Sequence, residues 1–358
     1  MKNKIILNVN SFLLDTDLFY LKGKYLYYRE TRISINQEGY RINKYKDNIF
    51  IEFFSTDDGF EKTLVLSSDK IEKDPAVFNI MQRGNILKDG FTLFLSYDKE
   101  YNTYINIINL NLQKVVWSII DTFKDFRIID NRHVILIDKK SLMFFNFVEN
   151  VELWHFSIQD FPPYINDSFR EQEADIKQII GMYNNLLWIY VGGWHLVSID
   201  INSGKEVHHI ENVLDLFGLS KEDRYHVNLN DTIHLNEQEG VLKMFAHRYY
   251  FEINLNTLQG EVIKDFGPNW NPDWRIKSSN YYQQYPNLLF FCGYYKATDA
   301  PNAFGIFDTE KAEIIWYDTT KDDLGYFYNP PQVNDKLLAI LDDKHNLLIY
   351  ERYNEVNI

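Results

Sequence analysis

Residues 194–210 read WHLVSIDINSGKEVHHI. A short run of strand-forming residues ends at Ile199 and Asp200, the turn formers Asn202, Ser203 and Gly204 follow, and a second run returns to Ile210. Two antiparallel strands joined by a tight turn account for this pattern. The Asp200 carboxylate is then placed to accept hydrogen bonds from the turn's own backbone amides.

The same register recurs along the chain. An apolar residue followed by Asp or Asn, with a further marker residue eight positions on, appears as Ile108, Asn109 and Trp117; Phe145, Asn146 and Trp154; Ile199, Asp200 and His208; Ile253, Asn254 and Val262; and Phe307, Asp308 and Trp316. Successive markers from Asn146 through Asp200 and Asn254 to Asp308 lie 54 residues apart, and Asn109 precedes Asn146 by 37. A period of that length with variable insertions is the mark of a bladed repeat. The Trp falls on the returning strand, where its face packs between neighbouring sheets. These Asp, Asn and Trp residues are therefore read as architecture. Elsewhere the chain alternates apolar runs with turn residues and shows little helical period, so the fold class is all-β, a β-propeller of four-stranded antiparallel blades.

With Asp200, Ser203, Gly204 and Lys205, the opening stretch resembles the repeat of the quinoprotein-like (pyrroloquinoline-quinone-type) β-propellers, in which an Asp is followed by Thr or Ser, Gly, Lys and then Trp. INLNLQKVVW (108–117) and FDTEKAEIIW (307–316) are similar to degenerate copies, and the resemblance runs over about residues 100–350. That superfamily contains quinone-dependent dehydrogenases and purely scaffolding propellers. The dehydrogenases are typically exported, considerably longer, and often carry an adjacent cysteine pair near the cofactor. With Cys292 its single cysteine, this chain offers no pair, so the resemblance implies a non-catalytic member and no cofactor.

A single domain over 1–358 is the simplest reading, because repeat folds of this length commonly form one unit. Third-strand candidates fall near Ile33, Leu64, Ile107, Phe144, Val197, Phe251, Ile306 and Leu348. The first two stand too close for two full blades, so seven blades are expected, with eight as the alternative. The last blade is expected to borrow a strand from Ile5 to Val9, closing the ring and removing exposed sheet edges.

Loop length supplies geography. In a four-stranded blade the turns between strands three and four lie on one face, and the connections from strand four to the next blade lie on the other. Insertions near 155–180, 211–228, 264–286 and 318–334 all follow a fourth strand and so share a face with the loops at 192–194 and 294–303. The segment 267–287 carries Trp270, Trp274, Arg275, Tyr281 and Tyr282 among Gly, Pro and Asn, residues that argue against a regular strand over its first half. Aromatics with Arg are the residue types of binding hot spots, although the same side chains could instead fold down and plug the propeller. Two insertions, 166–180 and 211–226, show short helical periodicity and cluster Glu171, Glu173, Asp175, Asp215, Glu222 and Asp223, either as solvated faces or as an acidic rim. The candidate binding residues are thus Trp194, Trp270, Trp274, Arg275, Tyr281, Tyr282, Tyr294, Tyr295, Glu171, Glu173 and Asp175.

A formal net charge of −14 disfavours nucleic acid and favours a basic partner. No P-loop, nucleophile elbow or zinc-protease motif occurs. His208 and His209 are neighbours that a strand points to opposite faces, and Cys292 lies in an apolar strand as a core thiol, so no catalytic or metal site is assigned. The apolar N-terminus is interrupted by Asn8, Asn10 and Ser11 and reads as a strand rather than a secretion signal; no run is long enough to span a membrane, and a cytoplasmic location is expected. Two functions fit: a non-catalytic propeller that engages a protein partner, for instance by neutralising a basic toxin, or a carbohydrate-binding or carbohydrate-active propeller using Trp194, Trp270 and Trp274 as sugar platforms. Facing carboxylates in a pocket beside the aromatics would favour the second, and a broad flat surface the first.

Overall fold

The computed structural model describes residues 3–351 other than 16, 29–30, 36–37, 46–47, 55–60, 68–75, 79, 83–89, 98–101, 110–111, 113, 121–122, 124, 166–169, 220–231, 247, 269–271, 297 and 321–323. Among the described residues lie eight four-stranded antiparallel sheets. Seven of them span 11–34, 39–78, 80–120, 125–157, 176–210, 233–265 and 274–319, and are called blades one to seven. The eighth joins Gln332–Val333, Leu337–Leu341 and Leu347–Glu351 to the N-terminal strand Asn3–Ile6.

The sequence register takes its physical form in the turn between strands three and four. Asp200 accepts from the amides of Asn202 and Ser203 at 3.1 and 2.8 Å, and from the Ser203 hydroxyl. Asn146 accepts from Val148 and Glu149, Asn254 from Asn256 and Thr257, Asn109 from Leu112, and Asp308 from Lys311. Beyond the turn the two strands carry a register shift, in four blades immediately after the residue two before the Asp or Asn: Ile107, Phe144, Ser198 and Ile306. That shift sets the eighth residue opposite these positions, so that Trp117, Trp154 and Trp316 face the following blade; the Trp154 indole donates to the Ile201 carbonyl at 2.7 Å. Blade six breaks the rule. Its shift falls earlier, between Tyr250 and Phe251, and Val262 pairs with Phe251, turning back toward blade five.

The core is a ring of layers between blades rather than one central mass. Seven apolar clusters each draw on two consecutive blades: Leu21 with Ile49, Ile107 with Phe126, Phe144 with Leu187, Trp188 with Leu242, Phe245 with Phe291, Phe304 with Leu338, and Leu347 with Leu14. First strands are neighbours around the axis, stapled by hydrogen bonds that pass from blade to blade. Arg127 donates to the Ile179 carbonyl, Gln178 to that of Ile233 and Asn280 to that of Pro331; His234 meets Ser279, and Gln332 accepts from the Leu14 amide.

Two expectations change in detail. Asn3–Ile6 closes the ring by pairing with 347–350, so the closing strand sits slightly earlier than Ile5 to Val9; Val9 follows it fully buried, its amide bonded to the His345 carbonyl. The blade count is eight rather than seven. Seven third-strand candidates lie on third strands, but Ile33 lies on Thr31–Ser34, the fourth strand of a first blade whose strands have only four or five residues. Short strands and tight turns let a whole blade fit where residue spacing left room for part of one. The helical reading of 166–180 gives way, since Tyr164–Ile165 pairs with Glu171–Gln172 and Ile176–Tyr183 is a first strand; within 211–226 a 3-10 helix covers Val213–Phe217, and 220–226 lie outside the described residues. Glu222 and Asp223 lie outside the described residues.

Candidate functional site

The connections 158–175, 211–232, 266–273 and 320–331 all leave a fourth strand and enter the next first strand, so antiparallel order puts them at the same end of the blades as the loops between strands two and three. Hydrogen bonds tie the two sets together. Val213 donates to the Trp194 carbonyl, Lys296 to that of Asp273 and Phe327 to that of Pro301. Two insertions are narrower than their sequence limits because first strands occupy part of them: Ile176–Tyr183 within 155–180, and Trp274–Tyr281 within 264–286.

Blade seven gathers four candidate residues at this end. Trp274 is 7% exposed and meets Tyr295 at 4.7 Å between ring centroids, with Tyr317 edge-on at 5.0 Å. Arg275 lies over the Tyr294 ring at 4.6 Å and donates to the Thr298 carbonyl at 2.7 Å, fastening the loop between strands two and three. Tyr295, Tyr317 and Trp274 wall a cleft of about 470 Å³ whose remaining lining includes Phe266, Lys264, Asp265 and Asp273. Asp265 is held beside Arg248 at 3.5 Å and accepts from the Gly267 amide. The carboxylate is thus fixed as a hydrogen-bond acceptor at the cleft's edge.

The other candidates separate. Trp194, in a left-handed turn at φ 67°, packs against the layer between blades five and six. Tyr281 and Tyr282 stand at the far end of the Trp274–Tyr281 strand, against His234 and Phe290, on the opposite face from the insertions. Glu173 pairs with Lys140 at 2.6 Å and Asp175 with Lys177 at 2.7 Å, while Glu171 is exposed on the small hairpin. Part of the acidic rim is therefore already neutralised. Trp270 lies outside the described residues.

Three tyrosines went unnoticed in the sequence. Tyr317, Tyr326 and Tyr328 are 44–45% exposed and lie at the insertion-bearing end. Tyr326 and Tyr328 flank Phe327, which is fully buried and packs edge-on against Phe304 at 4.6 Å. One anchored side chain therefore presents two exposed ones, and Lys277 sits over the Tyr328 ring at 4.7 Å. Alternation around Phe327, and the position next to Trp316, were the available signals.

Cys292, His208 and His209 have their own surroundings. Cys292 is fully buried beside the Ser278 hydroxyl, and burial pushes its thiol up to about 11, the wrong direction for a nucleophile. His208 stacks on Trp188, whereas His209 meets His195 and Phe161, so the adjacent pair does point to opposite faces.

No protein-family model matches the chain, and no curated protein matches it in sequence. Solved structures do. BamB from Moraxella catarrhalis superposes with a TM-score of 0.59 at 10% identity, covering 98% of this chain and 99% of that one. Saccharomyces cerevisiae Sqt1 gives 0.59 at 10% identity, over 97% and 100% of the two chains. The computationally designed Ika8 protein gives 0.57 at 8% identity, over 97% and 96%. At such identities the likeness is one of fold, and the fold is the β-propeller.

Proposed function

We propose that this propeller is a non-catalytic binding module that engages a basic protein partner through the insertion-bearing face at blades seven and eight. The observation that carries the reading is the exposure of Tyr317, Tyr326 and Tyr328 on the same face, the last two on backbone fixed by buried Phe327 and its bond to Pro301, and Tyr317 against Trp274 and Tyr295. A tyrosine buries a large amphipathic surface on association, and a preordered one loses little conformational freedom in doing so. The net charge of −14 supports a basic partner by favouring encounter at range. Neutralisation of a toxin is one form such an interaction takes.

The test is affinity capture from the native host with the wild-type chain, a Tyr317→Ala, Tyr326→Ala, Tyr328→Ala variant, and a Glu310→Gln control in the turn on the opposite face. A partner retained by wild type and control and weakened at least about 100-fold by the triple variant supports the proposal, since hot-spot residues contribute roughly 2 kcal/mol or more each. Equal capture by all three removes the face from consideration.

A second reading has its own observation. The cleft beside Trp274, Tyr295 and Tyr317 puts aromatic rings next to Asp265 and Asp273, a combination that suits stacking on a sugar and accepting from its hydroxyls. Because Asp265 is anchored by Arg248 and Gly267, the cleft favours sugar binding over hydrolysis. A glycan array probed with wild type and Tyr295→Ala decides: a glycan bound only by the wild type supports this reading, and an empty array ends it.

A further inference from the structure

The half-buried cation Arg127 has no role on the insertion-bearing face. It lies on Asp125–Ile128, the first strand of blade four, and its guanidinium reaches the Ile179 carbonyl at 3.2 Å. Among the described residues that carbonyl is its one hydrogen-bond partner, and no carboxylate comes within ion-pair distance. A guanidinium carries five N–H donors in a planar fork, so most of its capacity is unused. Burial lowers its pKa, and the more distant charges of Glu237 and Asp125 oppose that shift only in part. The remaining N–H groups are left to whatever occupies the space in front of them.

What faces it is a cavity of about 510 Å³ between the first strands of blades four and five, reaching Glu237 of blade six. The walls supplied by Ile128, Ile137, Ile179 and Met182 are apolar. Gln178 also lines the space. Its amide nitrogen is occupied by the Ile233 carbonyl, and its Oε1 is closed off from the space. Lys177, the other cation on the lining, is already paired with Asp175. The cavity therefore offers one planar cationic fork beside an apolar wall, a shape of site that takes small molecules.

We infer that this cavity binds a small organic carboxylate with an apolar body. The carboxylate pairs side-on with the Arg127 fork, as guanidinium and carboxylate geometries match. The apolar part of the ligand lies against Ile128, Ile137 and Ile179. Asp125 and Glu237 disfavour a ligand with more than one negative charge, which restricts the class to monoanions.

N-acetyl-L-leucine is a suitable probe because it carries one carboxylate on an apolar body, and N-acetyl-L-leucinamide is its neutral match. Binding to the full chain is followed by ligand-observed NMR and by thermal shift, with the Arg127→Gln and Arg127→Lys variants in parallel. The expected result is saturable binding of the carboxylate, binding of the amide weaker by roughly tenfold or more, and a similar loss in Arg127→Gln with partial retention in Arg127→Lys. The inference is overturned if the wild type does not bind the carboxylate, if the amide binds equally well, or if a folded Arg127→Gln binds as the wild type does. Should Arg127→Gln fail to fold, the comparison of carboxylate with amide on the wild type decides alone.

Discussion

Gly204 and Trp154 show how much of a blade contact rests on single atoms. Gly204 has φ 69°, and a Cβ there would lie 2.6 Å from the Trp154 ring of the preceding blade. Gly204→Ala should cost about 2–3 kcal/mol through strain and overlap together, whereas Trp154→Phe, which removes the indole bond to Ile201, should cost about 1 kcal/mol; urea unfolding measures both. His234 provides a pH dependence. Burial lowers its pKa from 6.5 to about 4, against a small opposing contribution from Ser279. Between those values the unfolded chain binds the proton that the folded one refuses. His234 therefore imposes no penalty above about pH 6.5, and stability is lost as pH falls toward about 4, by up to roughly 3 kcal/mol. Unfolding of wild type and His234→Gln at pH 7 and pH 4.5 should show a smaller acid loss in the variant; equal losses would mean that His234 accepts its proton freely. At this scale the sequence was most readable for the Asx turns, because the side chain bonds within three residues of itself. It was least readable for Arg127, Gln178 and Glu237, which the fold assembles from three blades.

At the scale of elements, the N-terminal strand holds the ring shut. Asn3–Ile6 completes blade eight, and Val9 fills the layer between blades eight and one. Deleting residues 1–9 should lower the unfolding midpoint by several degrees and promote self-association, since it exposes the edge of Leu347–Glu351; calorimetry with light scattering would detect both. A deletion without effect would mean that the ring does not depend on this closure. The closing strand was legible because an apolar N-terminal run remained when the last blade lacked a partner. Blade one was not, as its strands are too short for alternation to identify each one. Trp274–Tyr281 was hidden for a different reason. Gly267 and Pro272 signal irregular chain, and the strand begins only two residues after the proline, so its first residues were read as loop. Burial of Trp274 then follows from strand geometry, and the accessible aromatics fall to Tyr295 and Tyr317.

For the whole molecule, eight sheets stacked around an axis divide the surface into two faces, and from blade four to blade eight the longer connections gather on one of them. Inequality of the faces could be read from loop length alone, because antiparallel order fixes which connections share an end. The contents of that face could not, since exposure of Tyr326 and Tyr328 depends on Phe327 finding Phe304 across the layer between blades seven and eight. With a net charge of −14, binding to a basic partner should weaken as salt is raised from low to physiological concentration, mainly through a slower association rate; a salt-independent rate would argue against a basic partner. The measurement that bears most directly on the proposed function is hydrogen–deuterium exchange of the chain with and without its captured partner. Protection concentrated at 294–303 and 317–328 is the predicted result. Protection confined to the opposite face, at the turns around 202–205, 256–258 and 310–312, would contradict it.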